Sequence, residues 1–294
     1  MADSLFNTIV ILDAVPEGEL NTARRLKEDL EDISCYIAEN LNVRYYRLNT
    51  FSDLVSGINE IWEEIKTEGI KPWLHLDGHG LADQSGFVFA NRTTSCSWVQ
   101  LKQIITPINI ELNLNVMLIL ATCFGGSFAG VIETTDRSPI LGLIGPSREV
   151  SAGEIETAFT VFYKTFFTTL SLGQALSALD QETSSGLYYR TSAEQFFYDV
   201  WSLYKRDYCT KEALDARARK FYQRMKKNKL SSHPSIGQIK RTIQAREPEF
   251  FNKFRDRYFM YDLDNENIKR FPVTYRLAEI NAKKNANQRV SLTA

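Results

Sequence analysis

The chain has 294 residues, of which 44% are hydrophobic and 12% aromatic, and its formal net charge is −1. This is enough apolar material for a sizeable core. No apolar run approaches the roughly 18 residues that a membrane span needs, and the start Met-Ala-Asp-Ser lacks the basic and apolar stretches of a secretory signal. Four scattered cysteines (Cys35, Cys96, Cys123, Cys209) form no paired pattern, so a cytoplasmic protein with free thiols is expected.

The small net charge conceals an asymmetry. Residues 1–200 hold 13 Lys+Arg against 26 Asp+Glu, a net of −13, and residues 201–294 hold 22 against 10, a net of +12. Such a split implies two modules, or a basic tail that meets something acidic. The acidic partner could be the first module, another protein or nucleic acid, and charge complementarity within the chain favours protein docking over nucleic acid.

Thr8 to Val15 is a β-branched run that reads as the first strand. Residues 19–41 carry Leu26, Leu30, Ile33, Ile37 and Leu41 at helical spacing. Val43 to Leu48 reads as a second strand. Ser52 is expected to cap a helix reaching Glu68, with Leu54, Ile58, Ile61 and Ile65 on one face. Residues 71–77 form the third strand, ending in Gly-His-Gly. Residues 86–90 and 95–98 read as a small hairpin, followed by a helix over 99–108. Residues 116–122 and 139–145 read as the fourth and fifth strands, and 153–168 and 172–181 as helices. The stripe Phe159, Phe162, Tyr163, Phe166 and Phe167 is the core face of the first of these. Strand–helix alternation at this spacing predicts an α/β fold with a mostly parallel sheet covered by helices on both faces.

After Leu187 the texture changes. Thr191-Ser-Ala-Glu194 reads as a capping box opening a new helix. The remainder is helical, basic and rich in Tyr and Phe, with a break at residues 231–235 and a loose polar end over the last dozen residues. Two modules are expected, 1–190 and a helical C-terminal module over 191–294.

His79-Gly80 ends the third strand, and Cys123 ends the fourth, 44 residues later. A cysteine at the end of a buried strand is, taken alone, a small hydrophobe, and a histidine at a turn often only makes a hydrogen bond. As a pair, ending successive strands and adjoining glycine, they would share the carboxyl edge of a parallel sheet, where open α/β sheets place their chemistry. An imidazole beside a thiol is the minimum for nucleophilic catalysis by cysteine. Gly125 and Gly126 would permit a sharp turn into a helix whose N-terminal amides lie near the sulfur. His75, four residues before His79, could suggest zinc, but no CxxC accompanies it and neither metal nor cofactor is expected.

The order strand, helix, strand, helix, strand with His79-Gly80, hairpin, helix, strand with Cys123-Phe-Gly125 resembles the caspase-like cysteine peptidases. The nearest likeness is to CHAT-domain proteases, which the segment Leu141 to Asp180 also resembles. The likeness covers residues 5–185. It implies a caspase-like three-layer sandwich with Cys123 as nucleophile and His79 as general base and acid. Gly80 and Cys123 would supply the N–H groups of an oxyanion hole. The first specificity pocket would be lined by Asp13, Asp77, Ala121, Ser147, Arg148 and Glu149. Two carboxylates there would favour a basic residue at the cleaved position, whereas Arg148 argues the other way unless it pairs with Glu149 or Glu154. Ala121-Thr122-Cys123 departs from the animal caspase signature, so aspartate specificity does not carry over.

The resemblance implies an endopeptidase that cleaves a protein partner, in the manner of bacterial proteases of anti-phage defence and regulated cell death. With Pro139 only 16 positions after Cys123, activity as an uncut chain is expected. The C-terminal module would dock an activating partner, a ligand or the substrate. Two other readings stay open: a catalytically silent protease-like scaffold or sensor, and a nucleic-acid-binding protein acting through basic residues 210–229.

Overall fold

In the computed structural model, residues 6–36, 41–183, 186–227 and 234–292 are described. They divide into two compact units. One comprises residues 2–133 and 138–192, and the other residues 193–294 together with 134–137. The expected break at 231–235 and His233 lie largely outside the described residues, although Ser235 caps the helix that follows.

The first unit is α/β. Its elements run β1 (Thr8–Asp13), α1 (Thr22–Tyr36), β2 (Asn42–Arg47), α2 (Phe51–Glu68), β3 (Pro72–Asp77), β4 (His79–Gly80), β5 (Gly86–Val88) and β6 (Ser95–Ser97). Then come α3 (Trp98–Glu111), β7 (Met117–Ala121), a short 3-10 helix (Gly125–Val131), β8 (Gly142–Pro146), α4 (Ala152–Thr169), α5 (Leu172–Glu182) and β9 (Tyr188–Ser192). The main sheet has the order β2-β1-β3-β7-β8-β9, parallel throughout except for β9. A second sheet, β4-β5-β6, is antiparallel.

Register explains the layers. In parallel pairs, residues in one cross-strand row point to the same face. Ile11, His75, Ile119 and Ile144 form one such row. Its face is covered by α4, since the His75 ring meets Phe159 and Tyr163 at centroid distances of 5.0 and 5.8 Å. The α4 stripe Ile155, Phe159, Phe162, Tyr163, Phe166 and Phe167 is buried as its helical spacing demands. Helix α1 lies beside α4, joined by a Thr160–Asp29 hydrogen bond of 2.9 Å. The alternate row, with Tyr46, Leu12, Leu76 and Leu120, faces the opposite way. Tyr46 lies against α2 at Gly57, and α3 packs beside α2.

Local signals set most boundaries. The capping box of α2 is Thr50 with Asp53 rather than one led by Ser52, and Gly69 ends the helix in the left-handed conformation. The expected Thr191–Glu194 box does not form. Thr191 belongs to β9, its hydroxyl reaches the Ser192 carbonyl at 3.2 Å, and α6 begins at Ala193. The pairing available on the open edge of β8 overrides the local cap signal.

The second unit is helical: α6 (Ala193–Tyr208), α7 (Lys211–Lys227), α8 (Ile236–Ala245), α9 (Glu247–Tyr258), α10 (Glu266–Arg270) and α11 (Tyr275–Leu292). The end expected to be loose is helical to Leu292, its alanines favouring a helix despite three asparagines, and α11 packs along α6. The core of the unit gathers Phe197, Trp201, Phe251, Tyr258, Phe259 and Phe271. Lys205 bridges Glu247 at 2.8 Å and Glu279 at 3.2 Å, tying three helices with one cation. Arg137, from the 134–137 segment, binds Asp262 through both guanidinium nitrogens at 2.8 and 2.7 Å, and Arg257 pairs with Asp136. Among the described residues, no helix is long and apolar enough to cross a membrane.

Candidate active site

Strands β3 and β7 are neighbours, with Asp77 opposite Ala121. The pairing extends one step, the Gly78 N–H donating to the Ala121 carbonyl at 3.4 Å. His79 and Cys123 each follow this row by two residues, so they leave the sheet at the same carboxyl edge. Gly80 brings the two segments into contact. A Cβ placed on it would fall 1.9 Å from the Cys123 carbonyl oxygen and 3.1 Å from Cys123 Cβ, so only glycine fits between histidine segment and cysteine.

The Cys123 sulfur is partly exposed. It accepts from the Val150 N–H at 3.4 Å and lies 3.5 Å from the Val150 carbonyl, so the segment after β8 fixes its direction. The turn beyond it differs from the sequence expectation. Phe124 itself takes the left-handed conformation (φ 58°), and the following helix is a seven-residue 3-10 segment. Gly125 serves packing, since a Cβ there would lie 2.6 Å from the Leu120 carbonyl.

The backbone N–H groups expected to form an oxyanion hole are those of Gly80 and Cys123. In the β4–β5 ladder, Leu81 N–H bonds Gly86 at 2.9 Å, so the adjacent Gly80–Phe87 pair is the non-bonded kind and turns the Gly80 N–H away from β5. The Cys123 N–H meets no acceptor among the described residues.

His79 is half exposed, and its Nε2 lies 2.6 Å from Glu19 Oε2. The other oxygen of Glu19 accepts from Arg92 on the turn between β5 and β6. Neither Glu19 nor Arg92 was marked by the sequence. The available signal was positional, Glu19 being an acid in the loop after β1, at the same edge as His79.

The expected pocket residues divide. Asp13 is fully buried and accepts from the Val15 N–H at 2.8 Å, Asn21 Nδ2 at 2.9 Å, Arg47 at 2.6 Å and the Tyr45 hydroxyl. Asp77 is 2% exposed and accepts from Thr22 Oγ1 at 2.5 Å. Burial, with Asp13 nearby, pushes its carboxyl up to about 7 against the pull of the Thr22 and Gly78 donors. One charge is already met by Arg47, and both groups are spent on the β1–α1 connection. Ala121 is fully buried in the same row. Ser147 and Arg148 are exposed. The Ser147 hydroxyl donates to the Leu187 carbonyl at 2.9 Å. Arg148 reaches Glu154 at 3.3 Å and the Glu149 carbonyl at 2.7 Å, and its own carbonyl receives the Phe124 N–H at 3.2 Å.

His75 does not join His79. Its ring is fully buried, Nδ1 lies 3.2 Å from the Tyr163 hydroxyl, and Nε2 has no partner among the described residues. Burial holds this imidazole down at about 3, so it stays neutral. A small cavity lined by Thr22, Leu26, His75, Asp77 and Phe159 adjoins it. Among the described residues, no group of three or more His, Cys, Asp or Glu could hold a metal ion.

No family model matches the chain, and comparison with curated proteins finds no significant match.

Proposed function

We propose that the chain is a cysteine endopeptidase of caspase/CHAT type, with a caspase-like three-layer first module, that cleaves a protein partner. The observation that carries this reading is the contact of Gly80 with Cys123, at a sheet edge where His79 and Cys123 both lie two residues past one register row. His79 accepts the thiol proton as the sulfur attacks the scissile carbonyl carbon. The oxygen that gains charge is met by the Gly80 and Cys123 N–H groups. Collapse of the tetrahedral species breaks the C–N bond, and His79 delivers the proton to the leaving amine. Water, deprotonated by His79, then attacks the thioester. The sulfur departs and recovers its proton, and the acid product leaves.

The test is digestion of a labelled peptide library with the full chain and its Cys123→Ala and His79→Ala variants. Cleavage by the wild type alone is expected, and the residue preferred at the cleaved bond is read from the products. Equal digestion by folded Cys123→Ala would sink the reading.

A second reading has one observation in its favour. Lys220, Arg224, Lys226 and Lys227 on α7 are exposed and make no ion pair among the described residues. A phosphate backbone would suit them, and affinity for DNA or RNA falling steeply with salt would support it.

A further inference from the structure

We propose that Glu19 is a positioning residue for His79, holding the imidazole with its proton on Nε2 so that Nδ1 is the nitrogen that receives the Cys123 proton. This rests on the peptidase reading of the His79–Cys123 pair. A carboxylate only accepts hydrogen bonds, so at 2.6 Å from Glu19 Oε2 the Nε2 atom must be the donor. In a neutral ring the free lone pair then sits on Nδ1.

The ring needs such a holder. The His79 side chain is 54% exposed and touches no other aromatic ring among the described residues, so packing alone leaves its rotamer open. Glu19 is itself held. Arg92 occupies its second oxygen, from a turn position whose backbone is left-handed at φ 60°, uncommon for a residue with a side chain. The loop bearing Glu19 is pinned at its two ends by the carboxylates that precede the site: Asp13 takes the Val15 and Asn21 donors, and Asp77 takes the Thr22 hydroxyl. Within the loop, the Glu19 N–H reaches the Pro16 carbonyl at 3.4 Å. The buried acids thus act on the chemistry through a loop, Glu19 being their outlet at the surface.

The experiment measures alkylation of Cys123 by iodoacetamide in the full chain, with the modified peptide identified by mass spectrometry, alongside peptide cleavage. Cys96 is fully buried, which pushes its thiol up to about 12 and keeps it silent. His79→Ala should slow Cys123 alkylation about 100-fold, within the range for loss of a proton acceptor. Glu19→Ala should slow it about tenfold, lowering kcat with little change in KM. Glu19→Gln, which keeps the size and one acceptor, should recover part of that loss, and Arg92→Ala should cost less than Glu19→Ala. In nitrogen-15 spectra of the histidines, a hydrogen-bonded Nε2 proton of His79 should be visible in the wild type and in Glu19→Gln, and absent in Glu19→Ala. Wild-type alkylation in both Glu19 variants, with His79→Ala still slow, overturns the positioning role and leaves the peptidase reading intact. Wild-type alkylation in His79→Ala overturns the reading beneath it. If Glu19→Ala does not fold, the spectrum and alkylation rate of Glu19→Gln and Arg92→Ala decide.

Discussion

His75 and His79 are four residues apart and occupy opposite environments. His75 is sealed beneath α4 with one ring nitrogen unpartnered, and His79 stands half in solvent against Glu19. The acids show the same division: Asp13 and Asp77 are buried in the row two residues before the cysteine, whereas Glu19 is at the surface beside the histidine. The lower level is where polarity affects stability, because a charge there is stripped of water. At the upper level a side chain can be changed with small cost to the fold, so an effect there on the proposed cleavage would be separable from an effect on folding.

Substitutions separate these levels. The largest effect is expected at the rim. His79→Ala and Cys123→Ala should each lower cleavage at least about 10³-fold, while the free energy of unfolding in urea moves by no more than about 0.5 kcal/mol. One level down the balance reverses. Asp13→Ala strands Arg47, Tyr45 and Asn21 and should cost about 3 kcal/mol of stability in urea titrations. Its effect on cleavage should be indirect, through the loop that carries Glu19. Gly80→Ala joins the two levels by driving a methyl into the Cys123 carbonyl. It should destabilise by about 2 kcal/mol and slow both cleavage and alkylation.

The smallest effect per step is in pH. Asp77 binds its proton up to about 7 in the fold against an ordinary 3.8, so between these values the folded state holds the extra proton. Its contribution to stability is full below 3.8 and is lost as pH rises through 7. His75 is the opposite case, falling from 6.5 to about 3 on folding. Its contribution is full above 6.5 and is lost as pH falls toward 3. From about pH 4 to 6.5 the two slopes oppose. Relative to wild type, Asp77→Asn should make stability rise with pH and His75→Gln should make it fall, each by about 1.4 kcal/mol per pH unit. Parallel wild-type and mutant curves would show that the two groups titrate as they do in the unfolded chain.

The sheet was legible where the chain is monotonous. Buried parallel strands read as unbroken apolar runs, so 8–13, 72–77 and 117–121 stood out, and the glycines behind His79 and Cys123 marked where they stop. Strand β9 was not legible, because Tyr188-Tyr-Arg-Thr-Ser192 is not an apolar run and its antiparallel fit to β8 is a property of the partner edge. His79 and Cys123 drew notice because both residue types are scarce and each follows closely on an apolar strand. Glu19 was hidden, being one of several acids in a polar loop whose partner lies 60 positions away. Asp13 and Asp77 were noticed, but the partners that hold them were not. Their positions follow from strand ends, whereas their commitments depend on Tyr45, Arg47, Asn21 and Thr22, which only the folded register brings near.

Residues 134–137 leave the first unit midway between Cys123 and β8, join the helical unit, and the chain then returns. The helical unit is therefore not contiguous in sequence: residues 138–192 of the first unit separate its two parts. Excising everything after Ser192 would strip Arg137 of Asp262 and Asp136 of Arg257, leaving a frayed bight downstream of the nucleophile. An inert truncation would then report the loss of these ion pairs rather than the role of the helical unit. Charge reversals on α7 in the intact chain are the cleaner test of whether the helical unit binds a partner.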